Sequence, residues 1–270
     1  VSSLLTQLQG LVGQAANSGG LSTEEVSANQ LQVDSILGSI NRIAGATAFQ
    51  GKKLLDGNLG YTTSGTATSA FDSIQVNAAR LPSGNTVSVV IQVTNSATTG
   101  RVAATGTGTG ASSVTLRIAG ALGTEQLSFA GSSTFTSIGT AINSLKDVTG
   151  VSATVTSAGI TFSSTGFGSD QFVSVNSISG SFTVTGGVSG KDFGSNAVVT
   201  VNGSTAETSG KRVTYRTSSL DLEFDASAAL NGGQSKTIGI TGGGADFSLS
   251  SKVTESGKAS LGINAVGSES

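Results

Sequence analysis

The chain has 270 residues, a formal net charge of -2, 39 glycines, one proline and no Cys, His, Met or Trp. The missing residue types exclude imidazole bases, Ser-His-Asp triads, thiol nucleophiles, haem or iron–sulfur ligation and ordinary zinc sites. Carboxylate-only, Lys-based and oxygen-ligand metal chemistry survive. Charged residues make up only 11%, yet apolar residues reach 36%, so the low charge does not indicate disorder. A compact chain of this length buries roughly 70% of its unfolded surface, which allows a real core. Near-neutral charge without a long basic run argues against nucleic acid as a partner. No apolar stretch approaches the ~20 residues of a membrane span, and no secretory-signal pattern is read at the N-terminus. With no cysteine, disulfides play no part and the redox compartment is not readable.

Residues 1–59 read as helical. Leu4, Leu8, Leu11 and Ala15 step by four, three and four, which places them on one helical stripe. Asn17-Ser18-Gly19-Gly20 reads as the stop of that helix. Ser22-Thr23-Glu24-Glu25 reads as a capping box, Ser22 at the N-cap and Glu25 reaching back from the third helical position. A second helix is expected from about Thr23 to Ala44, with Val26, Val33, Ile36, Leu37, Ile40, Ile43 and Ala44 on its apolar face. That face is wider than the single stripe of the first helix needs, so part of it is expected to pack on something else. Val1 carries no cap signal, as if the first helix were cut from a longer one.

From residue 71 to 250 the pattern shifts to period two. Ile74, Val76 and Ala78 alternate with polar residues, as do Val87, Val89, Ile91 and Val93. Further strands are expected at Val114–Ile118, Glu125–Phe129, Val151–Thr156, Gln171–Val175, Phe182–Thr185 and Val198–Val201. Arg212–Arg216, Leu220–Phe224, Lys236–Ile240 and Asp246–Leu249 complete the set. One helix interrupts them, capped by Thr134, with Ile138, Ala141, Ile142 and Leu145 sharing a face. Asn202-Gly203 predicts a type I′ hairpin, and Thr105–Gly110 reads as a flexible connector or loop. Short strands with close turns predict sandwich-like or hairpin-stacked β structure.

Three groups of residues carry a family resemblance. Gln14-Ala15-Ala16-Asn17, the capped helix, Ile40-Asn41-Arg42-Ile43 and the run Phe49 to Gly57 (FQGKKLLDG) resemble the latter part of the N-terminal helical region of bacterial flagellin and the turn leaving it. Ser113–Ile118 through Gly168–Val175 resembles an insert motif of flagellin outer domains, and Asp192 through Phe224 continues the likeness. The resemblance implies an extracellular structural subunit of the flagellar filament, at the flagellum or cell surface. Its partners would be other flagellin subunits, and it would need no cofactor and perform no catalysis. It further implies a truncated core, since flagellin has longer terminal helices, and a fragment that is monomeric without them. Many flagellins carry an Arg-rich stretch ending in Arg-Glu-Leu-Ala that innate receptors read. The matching positions here are Gln7, Gln9 and Gly10 before Leu11, so weak innate-receptor recognition is expected. Gly10 also lowers local helix stability by about 1 kcal/mol relative to Ala.

Several residues are candidates for chemistry. Asp221, Glu223 and Asp225 share one strand face and would serve as a calcium site or an acid/base pair, against the plainer reading of a solvated strand face. Gly106, Gly108 and Gly110 lack phosphate-loop spacing, and Lys52-Lys53 reads as a solvated turn rather than an anion site. Asn202-Gly203-Ser204 matches a glycosylation sequon but is read as a turn. No constellation supports catalysis. The expected fold is α+β: a helical hairpin resembling a fragment of the flagellin D1 domain over 1–60, joined to a β-rich, sandwich-like outer domain with one short helix over 61–250. A nested insert subdomain is expected at 113–185 and a return segment at 251–270. Subunit or helix packing is assigned to Leu4, Leu8, Leu11, Val33, Ile36, Leu37, Ile40 and Ile43. The competing reading is a cell-surface adhesin or polysaccharide-binding protein on flagellin architecture. Its Ser/Thr/Asn-rich surface suits hydrogen bonding to sugar, but Tyr61 and Tyr215 are its only tyrosines and Trp is absent.

Overall fold

A computed structural model describes residues 2–16, 22–49, 51–66, 69–81, 86–227, 230, 232–248, 258–263 and 265–266. Helix α1 (Ser2–Ala16) packs against α2 (Thr23–Ala46). The capping box forms: the Ser22 N–H donates to Glu25 Oε2 at 2.8 Å, and Ser22 Oγ accepts from the Glu25 N–H at 3.3 Å. Two orphan amides are thereby satisfied, which fixes the start of α2. The helix runs past the expected Ala44 because Thr47 closes it, both its N–H and its hydroxyl donating to the Ile43 carbonyl. The expected stop of the first helix at Asn17–Gly20 lies outside the described residues.

Strands β1 (Ala48–Phe49) and β2 (Lys52–Lys53) make a short antiparallel ribbon after α2. Lys53 is tied rather than merely solvated: its Nζ donates to the Gly45 carbonyl at 2.7 Å, placing a cation at the helix C-terminus where the macrodipole favours one.

The next strands are β3 (Tyr61–Ser64), β4 (Phe71–Ala79) and β5 (Val87–Asn95). After a long excursion the chain returns as β13 (Val198–Val201), β14 (Ser204–Thr205), β15 (Glu207–Ser209), β16 (Arg212–Arg216), β17 (Leu220–Ala226) and β18 (Gln234–Gly243). These strands build two antiparallel sheets, one ordered β14-β13-β5-β18-β3 and the other β15-β16-β17-β4. Alternation along β5 puts Val89, Ile91 and Val93 into one core with Val199, Val201, Ile238 and Ile240 of the same sheet. Phe71, Val76, Val213, Leu222 and Phe224 enter that core from the other sheet, the Phe71 and Phe224 rings meeting edge to face at 5.3 Å. The alternation predicted through Ala78 breaks at its end. A register shift between the Asp221↔Ala78 and Leu222↔Val76 pairs leaves Asn77 extra, and Ala79 turns inward instead of Ala78. A final ribbon joins β19 (Ala245–Ser248) to β20 (Lys258–Leu261).

The excursion between β5 and β13 has a core of its own. It comprises β6 (Arg101–Thr105), β7 (Val114–Gly120), β8 (Thr124–Phe129), α3 (Phe135–Ser144), α4 (Lys146–Thr149), β9 (Val151–Thr156), β10 (Gly159–Ser164), β11 (Phe172–Ser179) and β12 (Lys191–Phe193). Its sheets are ordered β6-β10-β9 and β12-β11-β7-β8. Leu116, Ile118, Ile160, Phe162, Val173 and Val175 bury between the sheets and α3. Thr134 caps α3, accepting from the Ser137 N–H at 3.2 Å. The buried face is Phe135, Ile138, Gly139 and Ile142, rotated from the predicted one, so that Ala141 and Leu145 are only half-buried. Gly139 suits this rotated face: a Cβ there would lie 2.9 Å from Val155 Cγ2, so a larger residue would force α3 or Val155 to shift.

Four expectations need correcting here. A second helical turn, α4, follows the single expected helix and ends at Gly150, whose φ of 72° makes the left-handed cap. Phe182–Thr185 is not a strand: Phe182 and Val184 do pack on the core, but among the described residues the only ladder contact is the Thr185–Ala103 bridge. Thr105–Gly110 is a tied loop, not a flexible connector, because Thr109 is buried and its hydroxyl donates to the Ala130 carbonyl at 3.0 Å. The same hydroxyl accepts from the Ser133 N–H at 3.1 Å. Strands β6, β10 and β12 lie outside the expected set: β6 and β12 are only five and three residues long, and β10 is rich in Gly, Ser and Thr.

Candidate functional site

The carboxylate row resolves first. Asp221, Glu223 and Asp225 lie along one face of β17, as their spacing requires, and β16 brings Arg212 opposite Asp225 and Arg216 opposite Asp221. Arg216 Nε lies 3.4 Å from Asp221 Oδ2, and Arg212 Nε lies 3.5 Å from both Glu223 and Asp225. Ser73 Oγ donates to Asp225 at 2.9 Å and Asn77 Nδ2 to Asp221 at 3.2 Å. The hydrogen bond to Asp225 and its charge, with that of Glu223, raise the Arg212 guanidinium pKa further. Cross-strand ion pairing accounts for this row. Among the described residues no group of three or more acidic side chains converges as a metal site.

Two surfaces remain as candidates. The first is the helical hairpin. Leu4, Leu8 and Leu11 on α1 and Val33, Ile36 and Leu37 on α2 are half-buried, Ile40 is buried, and Ile43 is exposed. Leu5, Val12, Val26 and Leu31 are exposed as well, Leu31 at 70%. Leu5 and Val12 are seven residues apart and therefore share a face, which borders the Leu4/Leu8/Leu11 stripe at Leu8. Leu5 and Val12 widen the apolar surface of α1 beyond the expected stripe.

The second surface is an open groove of about 560 Å³ on the outer face of the β12-β11-β7-β8 sheet. Arg117 of β7 lies opposite Asn176 of β11, and Phe172 opposite Phe193 of β12, with ring centroids 5.8 Å apart. Lys191 Nζ sits 4.2 Å from the Phe172 centroid and 4.5 Å from that of Phe193, so the ammonium is held over both rings. Ser174 forms a buried polar patch in the lining and accepts from Asn176 Nδ2 at 2.9 Å. The turn Val188–Lys191 walls the groove through a reciprocal backbone pair, and Gly190 within it admits no side chain, since a Cβ would lie 2.6 Å from the Val175 carbonyl. The lining thus offers two cations, hydroxyl and amide groups and an aromatic edge, with no carboxylate among its described residues. Period-two reading does place Arg117 on a polar face. Nothing local joins it to Lys191, whose position depends on the pairing of β12 with β11.

No family model matches the sequence, and no curated protein matches it. Solved structures do show a partial likeness. The D2-D3 domains of the flagellar cap protein FliD from Serratia marcescens are 18% identical over 58% of this chain and 92% of that one, with a TM-score of 0.41. FliD (HAP2) from Pseudomonas aeruginosa PAO1 is 19% identical over 63% of this chain and 84% of that one, with a TM-score of 0.42. The D1-D2-D3 domains of FliD from Escherichia coli are 20% identical over 77% of this chain and 65% of that one, with a TM-score of 0.41. Likenesses this low carry no argument about role.

Proposed function

We propose that this chain is a non-enzymatic structural subunit of an extracellular flagellin-type filament, associating with other subunits through the α1–α2 hairpin. The observation that carries the reading is the set of exposed apolar residues on both helices, Leu5, Val12, Val26 and Leu31, on a hairpin whose sequence resembles flagellin. Apolar faces of this kind gain by burial against neighbours, and a helical filament supplies them by heterologous contacts that do not close into a ring. The proposed division is a helical unit over 1–60, a β-rich unit over 61–250 with a nested insert, and a return segment over 251–270. Weak innate-receptor recognition belongs to the same proposal, because Gln7, Gln9 and Gly10 present no charge on the exposed face of α1. Potent activation of a receptor reporter would remove that part. The main test is immunogold electron microscopy of the native cells with an antibody against residues 98–195. Labelling along the filament is expected. Labelling confined to the cell envelope would reject a filament subunit.

A second reading is favoured by the groove. Lys191, Arg117, Ser174 and Asn176 form a lining suited to a hydroxylated, anionic chain, which supports a surface polysaccharide-binding protein. Calorimetric titration with acidic and neutral polysaccharides tests it. Saturable binding lost in the Lys191→Ala/Arg117→Ala double variant supports this reading; binding unaffected by that variant would move the site elsewhere.

A further inference from the structure

The inserted unit and the sandwich are joined covalently only where the chain leaves β5 and re-enters at β13. Those two crossings form a narrow ribbon, bridged between Thr98 and Ser195. A two-stranded ribbon twists and bends easily, so by itself it would act as a hinge. Something else holds the angle. The turn Phe167–Ser169 of the inserted unit lies against the turn Ser209–Lys211 between β15 and β16. Asn196, on the returning crossing, sits between them: its Oδ1 accepts from the Ser169 N–H at 3.0 Å and from the Gly210 N–H at 2.9 Å. One oxygen thus ties a turn of each unit. Gly168 and Gly210 make the approach feasible, both at positive φ, and a Cβ on Gly168 would lie 2.9 Å from Gly210 Cα. Lys211 then reaches across, its Nζ 5.5 Å from the Phe167 ring centroid and 2.6 Å from Asp72 Oδ2.

Packing behind these contacts is incomplete. A cavity of about 140 Å³ opens there, walled in part by Val93, Ala197, Phe167 and Lys211. Apolar packing across this joint is interrupted, which leaves a part in setting the orientation to the polar contacts. We propose that Asn196, with the Phe167–Lys211 contact, forms a clip that converts the hinge between the inserted unit and the sandwich into a fixed joint. Asn196 is a positioning residue: it touches no ligand groove and acts by holding the two turns together.

The chain lacks cysteine, so spin labels can be placed cleanly. Gln126→Cys on β8 and Ser235→Cys on β18 put one label on an exposed position of each unit. Double electron–electron resonance on the full chain should give a single narrow distance distribution. Asn196→Ala should at least double its width, and Asn196→Asp, which keeps the acceptor, should restore it. Phe167→Ala provides a second variant outside either core and should broaden the distribution with the circular dichroism spectrum unchanged. A broad distribution in the unmodified clip, or one that stays narrow in both alanine variants, overturns the proposal.

Discussion

Asn202 and Val90 grip each other through a reciprocal pair of hydrogen bonds: the Asn202 N–H donates to the Val90 carbonyl at 2.8 Å, and the Val90 N–H donates to Asn202 Oδ1 at 2.8 Å. The side chain imitates one more residue of ladder beyond the β13–β5 pairing. Asn202 also sits at φ 50° and Gly203 at φ 82°, the two left-handed positions of the predicted hairpin turn. Asn202→Ala removes an acceptor and leaves a side chain poorly suited to positive φ. The expected loss is about 1–2 kcal/mol, read as a lower urea midpoint with unchanged slope.

Tyr61 is the other polar anchor of the sandwich. Its hydroxyl donates to the Ala79 carbonyl and accepts from the Ala79 N–H, both at 2.9 Å. Ala79 is buried at the end of β4, so water cannot replace the phenol easily. Tyr61→Phe is expected to cost about 2–4 kcal/mol, because two buried backbone groups lose a partner at once. Equilibrium denaturation checks this, and a change under 0.5 kcal/mol would mean solvent reaches the site.

The start of α2 should respond to acid. The hydrogen bonds from Ser22 hold the Glu25 carboxyl below the ordinary glutamate range. A depressed folded pKa contributes stability that is present above the unfolded value and is lost as pH falls through the folded one. Helical circular dichroism should therefore decline as pH drops through and below the ordinary glutamate range. Glu25→Gln should remove that acid-dependent component, and an identical pH profile in the variant would refute the assignment.

Leu31 separates folding from assembly. At 70% exposure its replacement by Glu should change stability by no more than about 0.5 kcal/mol. If the hairpin packs on other subunits, Leu31→Glu should abolish incorporation into filaments, measured by sedimentation of sheared filament fractions. Normal incorporation would remove Leu31 from the interface.

Local signals were the legible ones. Ser22 with Glu25, Thr134, and Asn202-Gly203 each announce their structure within four residues, because a cap or a tight turn is decided by nearest neighbours. The alternation in β5 was legible too, since one face of that strand is buried and the other wet. By contrast β10, with only Ile160 and Phe162 as large apolar residues, sits in the centre of its sheet and shows little pattern of its own. Ala78 departs from the alternation for a different reason: a bulge at Asn77 is set by the partner strand, not by β4. The groove was invisible for the same cause, as Lys191 meets Phe172 only after β12 pairs with β11.

The pairing of β13 with β5 imposes an order on folding. Val199 must find Val93 across the whole excursion between the two strands. In a disordered chain that closure is entropically costly and slow. Once the excursion has collapsed around Phe162 and Ile138, its two ends emerge side by side at Thr98 and Ser195. The distant strands are then delivered to each other at almost no further loss of chain entropy. Maturation would therefore begin in the inserted unit, with the β14-β13-β5-β18-β3 sheet completed last.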